Sequence, residues 1–323
     1  MDRKFANSFL IVLMVLSFHI LTVSSGEAAG FPEKPVRMIS PYAPGSGNDI
    51  ACRGIQPYLE KHLGVRVIID NKPGADGRLG VNEAWKAKPD GYTLVQPGQP
   101  AFVIMERIFP VQWKSRDFTH IFAWSADNFV LVVNSETWKT GEEFIAAAQA
   151  KTLSCGITGI GTVSYVVGLM LEDAAKLKPV NWVPFRGGAE SMTQLAGKHI
   201  DFAITTTASA RPLVDAGRLR PLILFSNEQD HVLPNAPLMK DAGLNILSAP
   251  VVRGALAPPG VPPRIVAILE KAFFKAIQEP EYIAFTQRIR AQITPMNHVQ
   301  FRDYIVNFEN NVAKYIEKIP KQK

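Results

Sequence analysis

The chain has 323 residues, of which 47% are hydrophobic and 20% are charged. This length exceeds that of one ordinary domain, and the composition excludes a disordered chain, so two compact domains are expected. The 35 basic and 29 acidic side chains give a formal charge of +6, without any run of five Lys or Arg residues. Because nucleic-acid-binding proteins carry clustered basic patches, no nucleic-acid partner is predicted. The modest positive charge either attracts anionic solutes or only aids solubility.

Residues 1–29 have the pattern of a secretory signal peptide, which is removed from the mature protein. Arg3 and Lys4 precede an apolar run, 9–23, which is followed by small residues up to Ala29. The apolar run is shorter than the ~20 residues that span a bilayer, although an uncleaved anchor is the alternative. We therefore expect export across the inner membrane of a bacterium and a periplasmic mature protein.

Strand-like and helix-like segments alternate from the start of the mature chain. The hydrophobic pattern predicts three strands and two helices, which are Val36–Ser40, helix Asn48–Leu63, Val65–Ile69, a helix that ends near Lys86, and Tyr92–Val95. Asn48 or Asp49 is predicted to cap the long helix, and Gly64 is predicted to end it. This β-α-β-α-β order is typical of a parallel sheet with helices on its faces.

The same alternation returns after residue 128. It predicts strands and then closing helices, which are Phe129–Val133, helix Glu142–Ala150, Leu153–Gly156, helix Ser164–Ala175, Val180–Pro184, helix Ala189–Leu195, Phe202–Thr205, Leu222–Phe225, and helices Arg264–Ile277 and Val299–Ile316. The predicted fold class is therefore α/β, with two lobes that each contain a mostly parallel sheet flanked by helices.

The lobes are expected to share the chain unequally. Residues 30–128 and 250–323 are assigned to lobe one, and residues 129–249 to lobe two. Two extended apolar segments, Phe129–Asn134 and Ser248–Ala257, are predicted to cross between the lobes. Two such crossings permit hinge closure around a ligand.

Each predicted unit has a Gly-rich loop between a strand and a helix. The loops are Pro44–Asp49 and Gly156–Thr162. Backbone N–H groups at a helix start are unpaired and lie at the positive end of the helix dipole, so they favour anions. A single loop of this kind is more often only a tight turn with a helix cap. Two loops in equivalent places favour a ligand site between the lobes.

Local signatures of catalysis are absent from the sequence. Neither Gly-rich loop completes a dinucleotide fingerprint, and no phosphate-binding P-loop or G-x-S-x-G elbow occurs. The histidines lack metal-ligand spacing. No catalytic residue, metal or cofactor is therefore predicted, although an exported α/β enzyme that acts on a carboxylic acid is kept as an alternative. Cys52 and Cys155 are predicted to be free, buried thiols, because a disulfide would lock the lobes together.

Several segments together resemble the Bug solute receptors, the extracytoplasmic TctC family of tripartite tricarboxylate transporters. The mature start, Phe31–Arg37, is similar to the Y/F-P-x-K-P-I/V-R opening of that family. The resemblance continues in order through most of the mature chain, at Pro41–Gly45, Asn71–Ala75, Lys88–Leu94, Asp117–Phe118, Gly159–Thr162, Val183–Gly187 and Ala257–Pro262. The run Pro-Asp-Gly-Tyr-Thr-Leu within Lys88–Leu94 is specific in this combination.

The resemblance implies a periplasmic-binding-protein (flytrap) architecture and a small carboxylate held between the lobes. It also implies an inner-membrane permease as partner, and we expect a monomer. Carried over residue by residue, the ligand-binding positions are Ala43, Gly45, Ser46, Gly47 and Asp49 in lobe one and Gly159, Gly161 and Thr162 in lobe two. Arg186 and Thr205 are added as candidates. Asp49 is expected to hold water, to accept a hydrogen bond from the ligand, or to cap the helix.

Two positions depart from the family pattern. Ser46 replaces a frequent Gly, and Tyr165 stands where His is frequent. Because both border the expected site, an aromatic or larger carboxylate is a hypothesis. Two further alternatives stay open, namely a receptor that delivers its ligand to a signalling kinase and a protein that binds sugars or amino acids.

Overall fold

A computed structural model describes residues 30–185 and 187–319. Residues 1–29, where the signal peptide is predicted, lie outside the described part. The described strands are β1 (Val36–Ser40), β2 (Val67–Asn71), β3 (Thr93–Val95), β4 (Thr119–Asp127), β5 (Phe129–Asn134), β6 (Ser154–Ile157), β7 (Asn181–Pro184), β8 (Phe202–Thr206), β9 (Leu219–Leu224), β10 (Val251–Ala257) and β11 (Gln292–Met296). They form two separate sheets.

Ten α-helices cover these sheets in the part of the chain that is described. They are α1 (Gly47–Leu63), α2 (Arg78–Trp85), α3 (Ala101–Ile108), α4 (Gly141–Ala150), α5 (Val163–Ala174), α6 (Gly188–Ala196), α7 (Thr207–Asp215), α8 (Pro263–Ala276), α9 (Pro280–Ile289) and α10 (His298–Ile316). The predicted two-lobed α/β fold is confirmed.

Both sheets are mixed rather than mostly parallel. The six-stranded sheet has the order β11-β4-β10-β3-β1-β2, and the five-stranded sheet has the order β7-β6-β8-β5-β9. Only the β1–β2 and β1–β3 pairs in the first sheet, and the β6–β7 and β6–β8 pairs in the second, are parallel. The prediction was too strong because the strands at the junction, β4, β5 and β10, pair antiparallel with their neighbours.

The crossing between the sheets is shorter than expected. β4 ends at Asp127 and β5 begins at Phe129, so Asn128 alone links them. Phe129–Asn134 lies wholly within the second sheet as β5, and β10 lies wholly within the first. The prediction that Phe129–Asn134 itself crosses is therefore wrong. β5 is paired on both sides along almost its whole length, which stabilises it inside the second sheet. Ser248–Ala257 does contain a crossing before β10, since Ser248 Oγ donates to the Phe225 carbonyl oxygen of lobe two and the Pro250 carbonyl oxygen accepts from the Tyr304 hydroxyl of lobe one.

One apolar core extends through both lobes. It joins Phe102 and Phe308, on α3 and α10 of the first lobe, to Phe144 and Val166 on α4 and α5 of the second. The α5–α10 contact is also polar, since the Asp173 carboxylate accepts hydrogen bonds from the Lys314 Nζ and the Tyr315 hydroxyl, each at 2.8 Å. The lobes are therefore packed together on this face. The α1, α8 and α9 helices cover the other face of the first sheet.

The two cysteines are free and buried, as predicted. Burial raises the pKa of the Cys52 thiol to about 12 and raises that of Cys155 well above its ordinary value. Both thiols are therefore unreactive at neutral pH. Among the described helices, none combines the length and the hydrophobicity needed to cross a bilayer.

Candidate functional site

The carboxyl ends of the parallel strands in both lobes face the crossing between the sheets. β8 pairs antiparallel with β5 so that Thr206 lies opposite Phe129, the first residue after the crossing. β6 is parallel to β8 and ends on the same side. In lobe one, β1, β2 and β3 run in the same direction as β4, which ends at the crossing. The β1–α1 and β6–α5 loops thus lie on facing edges, where ligands of α/β sheets bind.

The first loop leaves hydrogen-bond donors free at the start of α1. Ser46 caps the helix, and its Oγ accepts a hydrogen bond from the Asp49 backbone N–H at 3.3 Å. The prediction that Asn48 or Asp49 is the cap is wrong, because Ser46 has the extended backbone of a cap and the helix begins at Gly47. The backbone N–H groups of Gly47 and Asn48 have no acceptor within the helix. Both can donate to an anion.

Asp49 braces this loop from below. Its buried carboxylate accepts hydrogen bonds from the Gly45 N–H at 2.8 Å, from Arg53 Nε at 3.0 Å and from Asn71 Nδ2 at 2.8 Å. Burial alone would raise the pKa of Asp49, but hydrogen bonds from these three donors outweigh it and lower that pKa. The Gly45 N–H is held while its backbone adopts a φ of +79°, which suits glycine. Asp49 does not cap the helix, as one of the expected roles required, but supports the loop through these three hydrogen bonds.

The Asp49→Asn substitution is expected to lower the free energy of unfolding by about 1–3 kcal/mol, because the amide cannot accept from all three donors. Since the folded-state pKa lies below the ordinary 3.8, the stabilisation is complete at neutral pH. It should shrink as the pH falls below 3.8 toward the lowered value. Urea unfolding of wild type and variant between pH 2.5 and 7 measures this. The control Asp303→Asn, on an exposed carboxylate, should change stability by under about 0.5 kcal/mol; a difference independent of pH would contradict the assignment.

Buried amides lie behind the first loop. Gln96 Nε2 donates to Asn48 Oδ1 at 3.2 Å, and Gln99 Nε2 donates to the Gly254 carbonyl oxygen at 3.2 Å. Both glutamines are fully buried, and neither Oε1 atom has a hydrogen-bond partner within residues 30–185 and 187–319. Gln99 therefore joins the segment after β3 to β10. The free oxygens could accept from water or from a ligand hydroxyl.

The second loop contains a cluster of three hydroxyl groups. The buried Ser164 Oγ lies 2.9 Å from Thr162 Oγ1 and 3.0 Å from Thr158 Oγ1, and it accepts from the Thr158 N–H at 3.2 Å. Thr162 is the N-cap residue of α5, but its Oγ1 donates to the Gly159 carbonyl oxygen at 2.7 Å and accepts no hydrogen bond from the N–H groups of the helix start. The first N–H groups of α5 are therefore left for another acceptor. The sequence analysis selected Thr162 as a candidate but did not select Thr158 and Ser164, although all three lie within or directly after the run of glycines at 156, 159 and 161.

Gly161 brings the second loop against lobe one. It has a φ of +84°, and a Cβ added there would lie 3.2 Å from Ile108 Cδ1 and 3.6 Å from Ile319 Cγ2. Ile108 ends α3, and Ile319 follows α10. A side chain at Gly161 would therefore crowd Ile108 and would also strain the backbone at this positive φ.

The remaining predicted site residues, Tyr165, Thr205 and Arg186, do not lie in the two loops. The Tyr165 ring is buried and packs edge-on against Trp182, with 5.2 Å between ring centroids, so it lies in the core of lobe two. Thr205 is also buried, and its Oγ1 packs so close to Gly188 that a Cβ added at that glycine would lie 2.6 Å from it. Its neighbour Thr206 is the residue that lines the space between the lobes. Arg186 lies outside the described residues.

A cavity of about 260 Å³ lies between the lobes beside the first loop. Lobe one contributes Gly47 and Arg253 to its lining, and lobe two contributes Thr206 and Ser209. Sequence reasoning missed Arg253, which has no motif around it and reaches the cavity from β10. No three His, Cys, Asp or Glu side chains in the described ranges are grouped so that they could hold a metal ion.

Comparison with known proteins gives a family whose members agree with this two-lobed geometry. The family model described as tripartite tricarboxylate transporter family receptor (TctC) matches residues 51–320. A UPF0065 protein of Cupriavidus necator is 30% identical over 302 residues, which cover 92% of this chain and 90% of that protein.

Two solved structures extend the comparison. A TctC solute-binding protein from Polaromonas, without ligand, is 26% identical with a TM-score of 0.83, and the match covers 90% of this chain and 100% of that one. MatC from Rhodopseudomonas palustris, with bound malate, is 26% identical with a TM-score of 0.68, and the match covers 87% of this chain and 100% of that one. The resemblance inferred from the motifs is confirmed, and this chain belongs to the tripartite tricarboxylate transporter receptor (TctC) family of periplasmic solute-binding proteins.

Proposed function

We propose that this protein captures a small carboxylate in the periplasm and presents it to the inner-membrane permease of a tripartite tricarboxylate-type transporter. The observation that carries the proposal is the presence of two helix starts, those of α1 and α5, on the facing edges of the lobes. Both helices begin after Gly-containing loops and have free N–H donors. An anion between them would be favoured by both helix dipoles.

The ligand is proposed to contact the two loops through the N–H groups left free at the starts of α1 and α5 and through nearby hydroxyl groups. MatC, the malate-bound relative at 26% identity, supports an anionic solute for this chain as well. The proposed contacts are Ala43, Gly45, Ser46, Gly47, Gly159, Gly161 and Thr162, with Asp49 and Ser164 as braces and Arg186 and Thr205 as further candidates.

The lobes are proposed to consist of residues 30–128 with 250–323 and of residues 129–249. Asn128 is a single-residue link between the sheets, so a small backbone rotation there would change the angle between lobes. Residues 1–29 are proposed to be the cleaved export signal. No catalytic role is proposed, because TctC relatives are binding receptors and the loop groups are hydroxyls, amides and backbone N–H groups.

Isothermal titration of the mature protein, residues 30–323, tests the proposal. The panel contains malate, succinate, citrate and phenylacetate, with the neutral dimethyl ester of succinate as a matched control. We expect at least one acid to bind with a Kd of about 1 μM or below, a free energy of about −8 kcal/mol, and no heat from the ester. NMR of the recovered acid should show no chemical change. Binding of neutral sugars without binding of any acid, or turnover of a bound acid, would refute the proposal.

A further inference from the structure

The inter-lobe cavity beside the first loop has an excess of positive charge. Among the described residues, its charged lining side chains are Arg253, Arg290 and Asp127. Arg253 Nη1 donates to Asp127 Oδ2 at 2.7 Å, and the two side chains are 16% and 8% exposed. One carboxylate thus lies beside two guanidinium groups, of which that of Arg253 is largely buried and that of Arg290 is exposed.

The start of α1 adds to this positive field. A Cβ added at Gly47 would lie 3.9 Å from Arg253 Nη2, so the guanidinium reaches the first residue of the helix. A cation is unfavourable at a helix start, where the dipole is positive. The Asp127 carboxylate offsets the charge of Arg253 but not the positive end of the α1 helix dipole. A bound anion would remove the remaining imbalance.

A buried donor without a partner lines the same cavity. Trp124 is fully buried, and its Nε1 has no hydrogen-bond partner among the described residues. Its ring stacks on Phe273, with 5.3 Å between the ring centroids, which fixes the indole in place. Since an indole N–H can only donate, any group that pairs with it must be an acceptor. A carboxylate oxygen satisfies both this donor and the guanidinium.

Most of the remaining lining of the cavity is apolar or aromatic, beside the hydroxyl side chains of Ser125, Thr206, Ser209 and Thr286. Tyr282, Phe285 and Ile289 contribute from α9, and Ile50 contributes from α1. Ile50 is 40% exposed and so adds an accessible apolar side chain to the lining. Pockets for small molecules combine mostly apolar walls with a few polar groups. This lining suits a ligand with an apolar body better than a short hydrophilic diacid.

We propose that this cavity binds an organic acid with one carboxylate and an apolar or aromatic body. Arg253 and the first N–H groups of α1 hold the carboxylate, Trp124 donates to it, and the α9 side chains contact the body. The inference rests on the proposed function and narrows its substrate class. Because Thr206 and Ser209 of lobe two line the same cavity, the bound acid would touch both lobes.

Titration calorimetry with phenylacetate, its neutral amide phenylacetamide, and malate tests this inference on residues 30–323. Phenylacetate is expected to bind at least tenfold more tightly than malate, and phenylacetamide at least 100-fold more weakly than phenylacetate. The double variant Arg253→Gln/Asp127→Asn removes the charge pair without leaving one buried ion alone. It should weaken phenylacetate binding at least tenfold.

Single variants separate the contributions. Asp127→Asn frees the guanidinium and should tighten phenylacetate binding about threefold or more, while Trp124→Phe keeps a ring but removes the donor and should weaken it about threefold or more. The exposed control Arg302→Gln should have no effect. Circular dichroism verifies that each variant is folded. If the double variant does not fold, the results of the two single variants test the inference.

The outcomes distinguish this inference from the proposed function. Binding of malate but not phenylacetate would overturn the inference and leave the carboxylate receptor intact. Phenylacetate binding that no cavity variant changes would also overturn the inference. Failure of every acid to bind, including the panel of diacids and citrate, would overturn both.

Discussion

Replacement of Gly254 by alanine is expected to lower the free energy of unfolding by about 3 kcal/mol, because the site has no room for a methyl group. A Cβ there would lie 2.7 Å from the Phe301 ring and 2.9 Å from the Phe122 carbonyl oxygen. The carbonyl belongs to β4, the antiparallel neighbour of β10, so it cannot move without breaking the sheet. The register between these strands shifts between Arg253 and Gly254. The same substitution should therefore disturb the position of Arg253.

Urea unfolding with Gly187→Ala as the control measures this effect. Gly187 has an extended φ of 178° and no atom within 4 Å of an added Cβ, so alanine fits there. The control should stay within about 0.5 kcal/mol of the wild type. Equal stability of the two variants would contradict the close approach of β4 and β10 at Gly254.

The elements that were predicted best from the sequence are those with a clear hydrophobic periodicity and a clear terminating residue. The long helix was predicted at Asn48–Leu63 and is Gly47–Leu63, and Gly64 ends it in the left-handed conformation as expected. Its face toward the sheet carries Ile55 and Leu59, both buried. Such a helix has one solvated side, and this asymmetry produces the readable pattern.

Elements that are buried on all sides were missed for the opposite reason. All residues of β4 after Thr119 are buried, so its sequence does not alternate. The short helix α3 carries Phe102, Val103 and Ile104 in a row, because it lies in the core shared by the two lobes. Apolar runs of this length do not distinguish strand from helix.

In the candidate site too, the locally encoded loops could be predicted, whereas the side chains brought together by strand pairing could not. Glycines and hydroxyl residues mark both loops in the sequence, because helix starts need them. Arg253 and Asp127 are 126 residues apart, and only the pairing of β4 with β10 brings them together. That pairing contains bulges, so even the correct strand prediction would not have set which side chains face the cavity. Long-range register is the information that one sequence lacks.

The Asp230→Ala substitution is expected to lower the free energy of unfolding by about 3–4 kcal/mol, because it leaves several buried donors without an acceptor. The carboxylate of Asp230, 1% exposed, accepts from Asn128 Nδ2 at 2.9 Å, from the Thr207 hydroxyl at 3.3 Å and from the N–H groups of Val232 and Leu233 at 2.7 and 3.0 Å. The Asn128 carbonyl oxygen in turn accepts from the Thr207 N–H at 2.9 Å. Asp230 thus fixes the link between the lobes to the start of α7.

The matched control is Asp215→Ala, which removes an exposed carboxylate paired with Arg211 and should cost under about 0.5 kcal/mol. Asp230→Asn keeps one acceptor oxygen and should fall between the two alanine variants. If Asp230 also sets the lobe angle, hydrogen exchange in Asp230→Ala should accelerate first at Asn128 and Thr207, before the sheets open. Uniform acceleration over both lobes would mean that Asp230 contributes to global stability without acting at the hinge. The distinction matters for binding, because both the α5 loop and the cavity beside Arg253 depend on where this link holds lobe two.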